Sequence, residues 1–507
     1  MVGYRPALWF NDSLEYVRLA LRPEPYVIRP SGYSLFLLVL RPLHSFTLVV
    51  VFQHVIGLTV GVAVYALLRH LSLPGWAAAA ASAPQLLDGY QIALEHMVLS
   101  ETLFTGLLAG AATALSWHAV LRPRAAAVAG ACLAGAAVTR SIGLPLAVVA
   151  AVWLLLCRPG WRTVAVFSVA LLCPLTGYCA WHLTEHGTFG TSGSTGIFLY
   201  SRTTTFADCA KLDLRPELLV LCPDGPVDDR RPPSDYIWHT DTPLYRLPGG
   251  TFDRNKERIA RDFALHAILA QPLDYLRVVG RDFGRTFQSR LEDYPNRGVA
   301  ERYLFGTATL PLEGRPGFAA DLRAYERGPF ATAAHEPAAS WAVWYQRHVR
   351  MPAPMLGVLL LAGVLGLLGT LLPARPGVPR APLGLFVVFG VLSLLLPPMV
   401  AGFDYRYIPP SFPFLGGAAA LAVSSVASAL RGDRNRNRGR PRPRKPSQPW
   451  PGSHPARRGR CVTRLAADAS CDQGDTCSDQ GRGRNGDRTS RGPFRSGGRG
   501  ARRRWDA

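Results

Sequence analysis

The sequence predicts an all-α polytopic membrane protein with about nine transmembrane helices, a small mixed α/β region outside the membrane and a disordered C-terminal tail. Hydrophobic residues make up 48% of the 507-residue chain and gather in long runs. Basic residues mark every second loop between these runs, and the end of the chain is rich in Arg, Gly, Pro and Ser. These observations are typical of a multi-pass protein with a charged tail.

The predicted spans are of two kinds, because a span needs about 20 predominantly apolar residues to cross the hydrocarbon core. The runs that meet or approach this length are Phe46 to Leu68, Met97 to Val120, Val164 to Ala180, Met355 to Leu372, Leu383 to Val400 and Phe412 to Ala429. Shorter runs rich in Ala and Gly are Leu73 to Leu87, Ala125 to Val138 and Ile142 to Cys157. Together these runs give the predicted count of about nine transmembrane helices.

The charges of the loops predict how the chain is oriented. Arginines such as Arg69, Arg122 and Arg158 follow every second run, which places those loops in the cytoplasm. We expect a bacterial cell membrane, with the functional site outside the cytoplasm. The predicted divisions are an extracytoplasmic first loop (1–45), spans (46–180), an extracytoplasmic region (181–350), further spans (351–430) and a cytoplasmic tail (431–507). Because the first loop is basic and must still cross the membrane, we also expect a transmembrane helix upstream of Met1.

The first loop ends in a short apolar segment. Residues from Arg29 to Leu43 contain Pro and Gly, followed by too few apolar residues to span a bilayer. This pattern predicts an interfacial helix on the membrane surface, with Tyr33 and Phe36 at the depth of the headgroups. Such a helix would hold the acidic, aromatic segment around Asp12 against the bilayer.

The central region combines several kinds of pattern. Gly187 to Tyr200 is strand-like and Pro223 to Pro248 is turn-like, which predicts a mixed α/β region. Apolar residues at helical spacing predict helices within Phe252 to Phe287. Cys209 and Cys222 are the only cysteines in this polar region, and outside the cytoplasm they predict a disulfide.

The tail accounts for most of the basicity of the chain. From residue 431 onward there are 21 basic residues and 7 aspartates, which is +14 of the formal charge of +21. This composition predicts a disordered, solvated tail that contacts anionic lipid, at about 1 kcal/mol per basic residue near the surface. Nucleic-acid binding is disfavoured, because the tail has no series of aromatic residues to stack on bases.

Two arginines, Arg140 and Arg406, break the pattern of basic cytoplasmic loops. Both lie at the outer ends of predicted spans, where a guanidinium held at membrane depth costs about 2.5 to 3.5 kcal/mol. One interpretation is that each pairs with a neighbouring carboxylate, for which Asp404 is available. The other is that they form an anion site that binds a lipid-linked phosphate. The residues alone leave both open.

Acidic residues precede one of the predicted spans. Glu95 and Glu101 are too far apart in sequence to share one face of a helix. Glu101 lies in the apolar run, so it needs a polar partner or a water-filled cavity. Pairing with a helix-end arginine and a role in ligand binding both fit. His96 by itself does not establish a metal site.

Five short motifs follow one another along residues 1–430. They are Asn11-Asp12 with Tyr16; Arg29-Pro30-Ser31-Gly32-Tyr33; Leu94-Glu95-His96-Met97 with Ser100-Glu101; Arg140-Ser141-Ile142-Gly143-Leu144-Pro145; and Tyr405-Arg406-Tyr407-Ile408-Pro409-Pro410. Their order resembles the GT-C superfamily of integral membrane glycosyltransferases, particularly bacterial enzymes similar to the protein mannosyltransferase and aminoarabinose transferase families. The last motif is similar to the RYxxP segment of that family.

The resemblance implies an inverting transferase that moves a sugar from a polyprenyl-phosphate donor to an extracytoplasmic glycan, lipid or protein. Asp12 matches the first-loop carboxylate that such enzymes use as a base, and Arg140 and Arg406 would bind the donor phosphate. Many relatives have two adjacent acids where this chain has Asn11-Asp12, so the participation of a divalent metal stays open and no cofactor is assigned. The implied substrate-binding residues are Tyr16, Arg29, Tyr33, Glu95, His96, Glu101 and Tyr407.

Two other classes of protein are alternatives to a glycosyltransferase. A lipid or oligosaccharide transporter would line a path with its intramembrane charges, but the paired internal repeats typical of transporters are not seen. A non-catalytic membrane scaffold would use the Arg-rich tail to recruit partners. The sequence has no GxGxxG, Walker or HExxH motif, which argues against nucleotide-driven chemistry and against a zincin.

Overall fold

The computed structural model describes residues 2–290, 292–306, 316–370 and 380–424, and their secondary structure is predominantly α-helical. The predicted disordered tail (431–507) lies outside the described residues. The helices before residue 190 are α1 (Asn11–Leu21), α2 (Gly32–Leu40), α3 (Phe46–His70), α4 (Gly75–Leu87), α5 (Gly89–His96), α6 (Glu101–Ser116), α7 (Pro123–Thr139), α8 (Gly143–Leu156) and α9 (Trp161–His186).

The second half of the described chain is also helical. Its helices are α10 (Thr195–Thr203), α11 (Pro216–Leu219), α12 (Asp235–Trp238), α13 (Arg254–Ala270), α14 (Pro272–Arg285), α15 (Arg297–Glu301), α16 (Pro316–Tyr325), α17 (Ala338–His348), α18 (Ala353–Gly369) and α19 (Arg380–Val400). A 3₁₀ turn (Tyr405–Tyr407) and a helical segment at 412–424 follow. The short strands β1 (Tyr4–Arg5) and β2 (Ala333–Ala334) pair antiparallel.

Three helices among the described residues are long and apolar enough to cross a bilayer: α3, α9 and α19, with mean hydropathies of 2.1, 1.8 and 2.3. The pair α17 and α18, bent by 51° at a short break, would add a fourth as one broken span. The predicted count of nine is not confirmed, because α4, α6 and α8 contain only 13, 16 and 14 residues. At about 1.5 Å per residue, a helix of that length is shorter than the roughly 30 Å hydrocarbon core.

Local sequence signals explain where several helices begin. The Ser45 hydroxyl accepts a hydrogen bond from the N–H of Leu48 at 3.4 Å and caps α3. The Asp253 carboxylate accepts from the N–H of Asn255 at 2.8 Å and caps α13, and Pro272 occupies the first turn of α14. The helices predicted between residues 252 and 287 are therefore confirmed as α13 and α14.

The described part of the central region is mostly helical, with the short strand β2, and the predicted strand-like segment does not form a strand. The segment from Gly187 to Tyr200, which has a strand-like sequence, contains the start of α10. Ile197 and Tyr200 are fully buried, and the Tyr200 ring packs edge-on against Phe263 of α13 at 5.4 Å. Packing of this helical face outweighs the β-propensity of the Thr, Phe and Tyr residues in the segment.

The region around α10 and α13 contains a disulfide between Cys209 and Cys222, whose Cα atoms are 6.1 Å apart. The loop that it closes contributes Leu218 and Leu221, both fully buried, to the hydrophobic core of this region. The disulfide therefore fixes a loop that packs onto the helices, and it joins positions 13 residues apart in sequence.

The N-terminal residues before α1 are built into the fold. The Trp9 indole N–H donates to the Phe330 carbonyl at 3.0 Å, and the Thr332 hydroxyl donates to the Ala7 carbonyl at 2.7 Å. The N–H of Leu8 donates to the carbonyl of His96 at 3.0 Å. These bonds fix the start of α1 relative to the end of α5.

Tyr33 is fully buried within the protein, so its ring packs against protein groups. Its hydroxyl donates to the Gln53 Oε1 of α3 at 2.6 Å. The helix α2 approaches α7 closely at Gly32, where a Cβ atom would overlap the Val138 carbonyl oxygen. Neighbouring helices therefore cover this face of α2, while Phe36 is half-buried.

We expect the double variant Cys209→Ser/Cys222→Ser to unfold at a lower temperature, since a disulfide typically contributes about 2 to 4 kcal/mol. Cys157→Ser is the matched control, because Cys157 is a free, exposed thiol. Alkylation of the unfolded, non-reduced protein followed by mass spectrometry should modify Cys157 and Cys173 and leave Cys209 and Cys222 unmodified. Alkylation of Cys209 under these conditions would contradict the pairing.

Candidate active site

Asp12 lies in the first turn of α1 and contacts two arginines from distant parts of the chain. Its Oδ2 atom is 2.5 Å from Nη1 of Arg29 and 2.7 Å from Nη1 of Arg406. The Asp12 side chain is only 15% exposed. Since Asp12 and Arg406 are 394 residues apart in sequence, this charge-assisted contact joins the first loop to the 3₁₀ turn near the end of the described chain.

Arg406 also lies close to two further carboxylates. Its Nε atom is 3.1 Å from Oδ2 of Asp404 and 3.6 Å from Oε1 of Glu101. Its backbone N–H donates to Oδ1 of Asp404 at 3.2 Å, which caps the 3₁₀ turn. Of the two interpretations open for Arg406 from the sequence, the structure therefore contains the pairing with Asp404.

Arg140 has the same kind of partner. It directly follows α7 and forms an ion pair with Glu101, the first residue of α6, whose side chain is 3% exposed. The Arg140 Nη1 also donates to the Ser100 hydroxyl at 3.2 Å. Arg140 and Arg406 are thus both paired with acids, and Glu101 lies within reach of each of them.

The six charged groups of this cluster balance one another. Their side-chain exposures range from 3% to 21%, so each charge depends on its partners in place of water. An anion that enters the cluster must therefore replace a carboxylate contact. We call this set the Asp12 cluster; its acids are Asp12, Glu101 and Asp404, and its arginines are Arg29, Arg140 and Arg406.

Two tyrosines from the sequence motifs flank the arginines. The Tyr407 ring lies 5.2 Å from the Arg140 guanidinium and 5.4 Å from that of Arg406. The Tyr16 ring lies 5.5 Å from the guanidinium of Arg29. Contacts of this geometry attract the cation to the ring face, so the tyrosines help to hold the three guanidinium groups in place.

Sequence reasoning missed two aromatic residues of the site. The Phe10 ring lies 5.1 Å from the Arg406 guanidinium and stacks on Tyr303 at 5.2 Å. The Tyr303 hydroxyl donates to Oδ1 of Asp404 at 2.7 Å. Phe10 could have been found from its closeness to Asp12 in the sequence. Tyr303 belongs to the central region and carried no signal.

Asp12 and Asp404 both contact Arg406, but their pKa values are shifted in opposite directions. Burial opposes ionisation of Asp12, but Arg29 and Arg406 outweigh it and hold the pKa of Asp12 well below its usual range. Burial raises the pKa of Asp404, even though Arg406 and the Tyr303 hydroxyl oppose this shift. Asp12 is therefore firmly ionised, and Asp404 is more easily protonated than Asp12.

Glu95 and His96 belong to a separate network between α3 and α5. Glu95 contacts Nδ1 of His54 at 2.9 Å and accepts from the Gln91 amide at 2.8 Å, and His96 Nε2 lies 2.7 Å from the Tyr4 carbonyl oxygen. Burial lowers the pKa of His96 to about 3, so its imidazole is neutral at neutral pH. In the part of the chain that the structure describes, no group of three or more His, Cys, Asp or Glu side chains is arranged to hold a metal ion.

The structure thus sorts the residues singled out from the sequence into two groups. Tyr33 lies behind the Asp12 cluster, with its ring 4.8 Å from that of Tyr16, and Glu95 and His96 lie in the separate network. The residues that come together are Asp12, Tyr16, Arg29, Glu101, Arg140, Arg406 and Tyr407.

No family model and no curated protein matches the sequence. Two solved structures show a likeness to this chain: crystal structures of ArnT from Cupriavidus metallidurans, one bound to undecaprenyl phosphate and one in the apo state. Both are 13% identical, with TM-scores of 0.29 and 0.30, and the matches cover 87% and 83% of this chain and 78% and 74% of ArnT. At these TM-scores the likeness carries no argument about this chain, and the function proposed below rests on the Asp12 cluster.

The low pKa of Asp12 predicts an acid-sensitive contribution to stability. A carboxyl group with a depressed folded-state pKa stabilises the fold above its unfolded value, near 3.8, and loses this contribution as the pH falls. Below about pH 4, the melting temperature of the wild type in detergent should fall more steeply than that of Asp12→Asn. Asp241→Asn, which removes an exposed ion pair with Arg231, should follow the wild type. Identical acid profiles for the wild type and Asp12→Asn would contradict the assignment.

Proposed function

We propose that the protein is a membrane glycosyltransferase of the GT-C type, which moves a sugar from a polyprenyl-phosphate carrier to an acceptor outside the cytoplasm. The observation that carries this proposal is the convergence of Asp12, Arg29, Arg140 and Arg406, from four separate motifs, in one largely buried cluster. Ionisable groups at the ends of apolar helices are costly, so their concentration in one place favours a functional site over scattered structural pairs.

In the proposed reaction Asp12 acts as the general base. The acceptor hydroxyl oxygen attacks the anomeric carbon of the donor while its proton passes to the Asp12 carboxylate. The bond between the anomeric carbon and the phosphate oxygen breaks, and its electron pair leaves with the polyprenyl phosphate. Attack opposite the leaving group inverts the anomeric configuration. The arginines stabilise the negative charge that develops on the phosphate.

Donor binding has to rearrange the ion pairs, because Arg140 and Arg406 already contact carboxylates. When Arg406 turns from Asp12 towards the donor phosphate, the ionised form of Asp12 loses part of its stabilisation. The pKa of Asp12 then rises towards that of an ordinary carboxyl group, which makes Asp12 a stronger base. The proposal therefore links the strength of the base to the presence of the donor.

The remaining motif residues are proposed to shape the substrate site around the base, Asp12, and the arginines that bind the phosphate. Arg29 holds Asp12 in place, and Glu101 orients Arg140 through their ion pair. Tyr16 and Tyr407 present their rings to the arginines. Tyr33, Glu95 and His96 are proposed to support the substrate site from the adjoining helices.

Transfer should depend on Asp12. In vesicles from a strain that lacks the native gene, Asp12→Asn should lower transfer from a polyprenyl-phosphate sugar by at least about 100-fold, the smallest usual contribution of a general base. Lipid extracts of that strain should contain the accumulated donor. Asp241→Asn is the matched control, because it removes an exposed carboxylate outside the cluster. Near-normal turnover by a folded Asp12→Asn protein would remove Asp12 from the mechanism.

Donor binding should depend on Arg406. With a non-hydrolysable polyprenyl-phosphate sugar, we expect Arg406→Gln to raise the Kd by about tenfold or more, because a charge-assisted contact with the phosphate is lost. Arg406→Lys should give an intermediate value, since Lys keeps the charge but not the planar guanidinium. Arg231→Gln controls for the loss of one exposed positive charge. Equal Kd values for the wild type and Arg406→Gln would exclude the phosphate role.

A further inference from the structure

A cavity of about 270 Å³ lies at the break between α17 and α18 and is separate from the Asp12 cluster. Arg347 at the end of α17, Arg350 and Met351 in the break, and Leu356 in α18 all line it. Tyr405 of the 3₁₀ turn also lines the cavity. None of the six charged residues of the cluster is among its lining residues.

The lining of this cavity carries a surplus of positive charge. Arg285 lines it but is neutralised by Asp282 and Glu292, at 2.6 and 3.1 Å. Within the described ranges, neither Arg347 nor Arg350 forms an ion pair or a side-chain hydrogen bond. Two guanidinium groups therefore face this region without a dedicated partner.

Asp88, the acid that lines the cavity, is already committed to backbone bonds. Its Oδ1 accepts from the N–H groups of Tyr90 and Gln91 at 2.9 and 2.8 Å, which caps α5. Its Oδ2 accepts from the N–H of Met351 at 2.6 Å. Burial raises the pKa of Asp88, although these backbone bonds and the nearby Arg350 oppose the shift. The lining therefore contains one acid, which is bonded to backbone N–H groups, and two arginines that are unpaired within the described residues.

A buried hydroxyl adds a second, independent feature. Tyr90 lines the cavity, is only 7% exposed, and its hydroxyl has no hydrogen-bond partner in the part of the chain that the structure describes. A buried hydroxyl without a partner is unfavourable by about 1 to 3 kcal/mol. A ligand oxygen that accepts from Tyr90 would satisfy it.

Buried apolar side chains also line the cavity. Leu356 of α18 and Phe412 of the following helical segment are 1% and 5% exposed, and both line the cavity. The helix α18 belongs to the bent pair that is apolar enough to form one span. The cavity therefore places unpaired arginines next to an apolar surface, which is the arrangement that suits a phosphate group on a hydrocarbon chain.

We infer that this cavity is a second anion site, which binds a phosphate group through Arg347, Arg350 and the Tyr90 hydroxyl. Guanidinium groups bind phosphate oxygens through pairs of parallel N–H donors, so two unpaired arginines are suited to one phosphate. The phosphate can come from the headgroup of a membrane amphiphile or from a soluble phosphate. The inference concerns binding alone and does not require the sugar-transfer reaction.

The test uses the full chain in nanodiscs of zwitterionic lipid, with three probes: a long-chain alkyl monophosphate, the alcohol of the same chain length, and inorganic phosphate. We expect the alkyl monophosphate to bind, and the double variant Arg347→Gln/Arg350→Gln to bind it at least about tenfold more weakly. Arg350→Lys, which keeps the charge, should bind more tightly than Arg350→Gln. Arg231→Gln, an exposed arginine outside the cavity, should match the wild type.

The outcomes separate this site from the Asp12 cluster and distinguish the two sources of phosphate. Binding of the alkyl monophosphate but not of inorganic phosphate supports a lipid headgroup as the ligand. Binding of both with the same dependence on Arg347 and Arg350 supports the anion site and assigns it to a soluble phosphate. Equal binding of the alcohol and the monophosphate overturns the proposal. So does binding that is lost in Arg406→Gln and retained in the Arg347→Gln/Arg350→Gln variant.

Discussion

The contacts of Asp12 with Arg29 and Arg406 are the constraint on which the arrangement of the site depends. Each of these groups loses hydration on burial, and a buried charge deprived of its partner destabilises a protein by about 3 to 5 kcal/mol. The first loop cannot move away from the 3₁₀ turn without leaving two guanidinium groups uncompensated. The bond from Trp9 to the Phe330 carbonyl fixes the same loop to another part of the chain. The N-terminal segment is therefore part of the folded core around the site.

The balance of acids and arginines in the Asp12 cluster determines how a phosphate could bind there. With three acids and three arginines largely buried together, no guanidinium is left over for an incoming phosphate. A phosphate can bind only by taking the place of a carboxylate, and the carboxylate that is released becomes more basic. Asp12 is the natural candidate for release, because its low pKa comes from Arg29 and Arg406 acting against its burial. In such a site, donor binding and activation of the base are one event.

The sequence allowed the members of the cluster to be predicted better than their pairing. Arg140 and Arg406 stand out because charge at the edge of an apolar run is unfavourable and needs an explanation, and Asp12 stands out through the resemblance of its motif. Which acid pairs with which arginine depends on how the helix ends meet, and no local pattern encodes that. Tyr303 was missed for the same reason, since it reaches Asp404 only through the tertiary fold. In α10 the local pattern was misleading, because β-prone residues form a helix where one face is buried.

Electrostatics also distinguishes the two proposed anion-binding regions. In the Asp12 cluster a phosphate must break an existing ion pair, whereas at Arg347 and Arg350 it meets guanidinium groups that have no such partner among the described residues. The two regions are joined by one short element, since Tyr405 lines the cavity and the next residue, Arg406, contacts Asp12. The Tyr405 hydroxyl is in turn anchored to the backbone of Glu292 at 2.7 Å. Because Arg406 directly follows Tyr405, this anchor also holds the residue on which the ionisation of Asp12 partly depends.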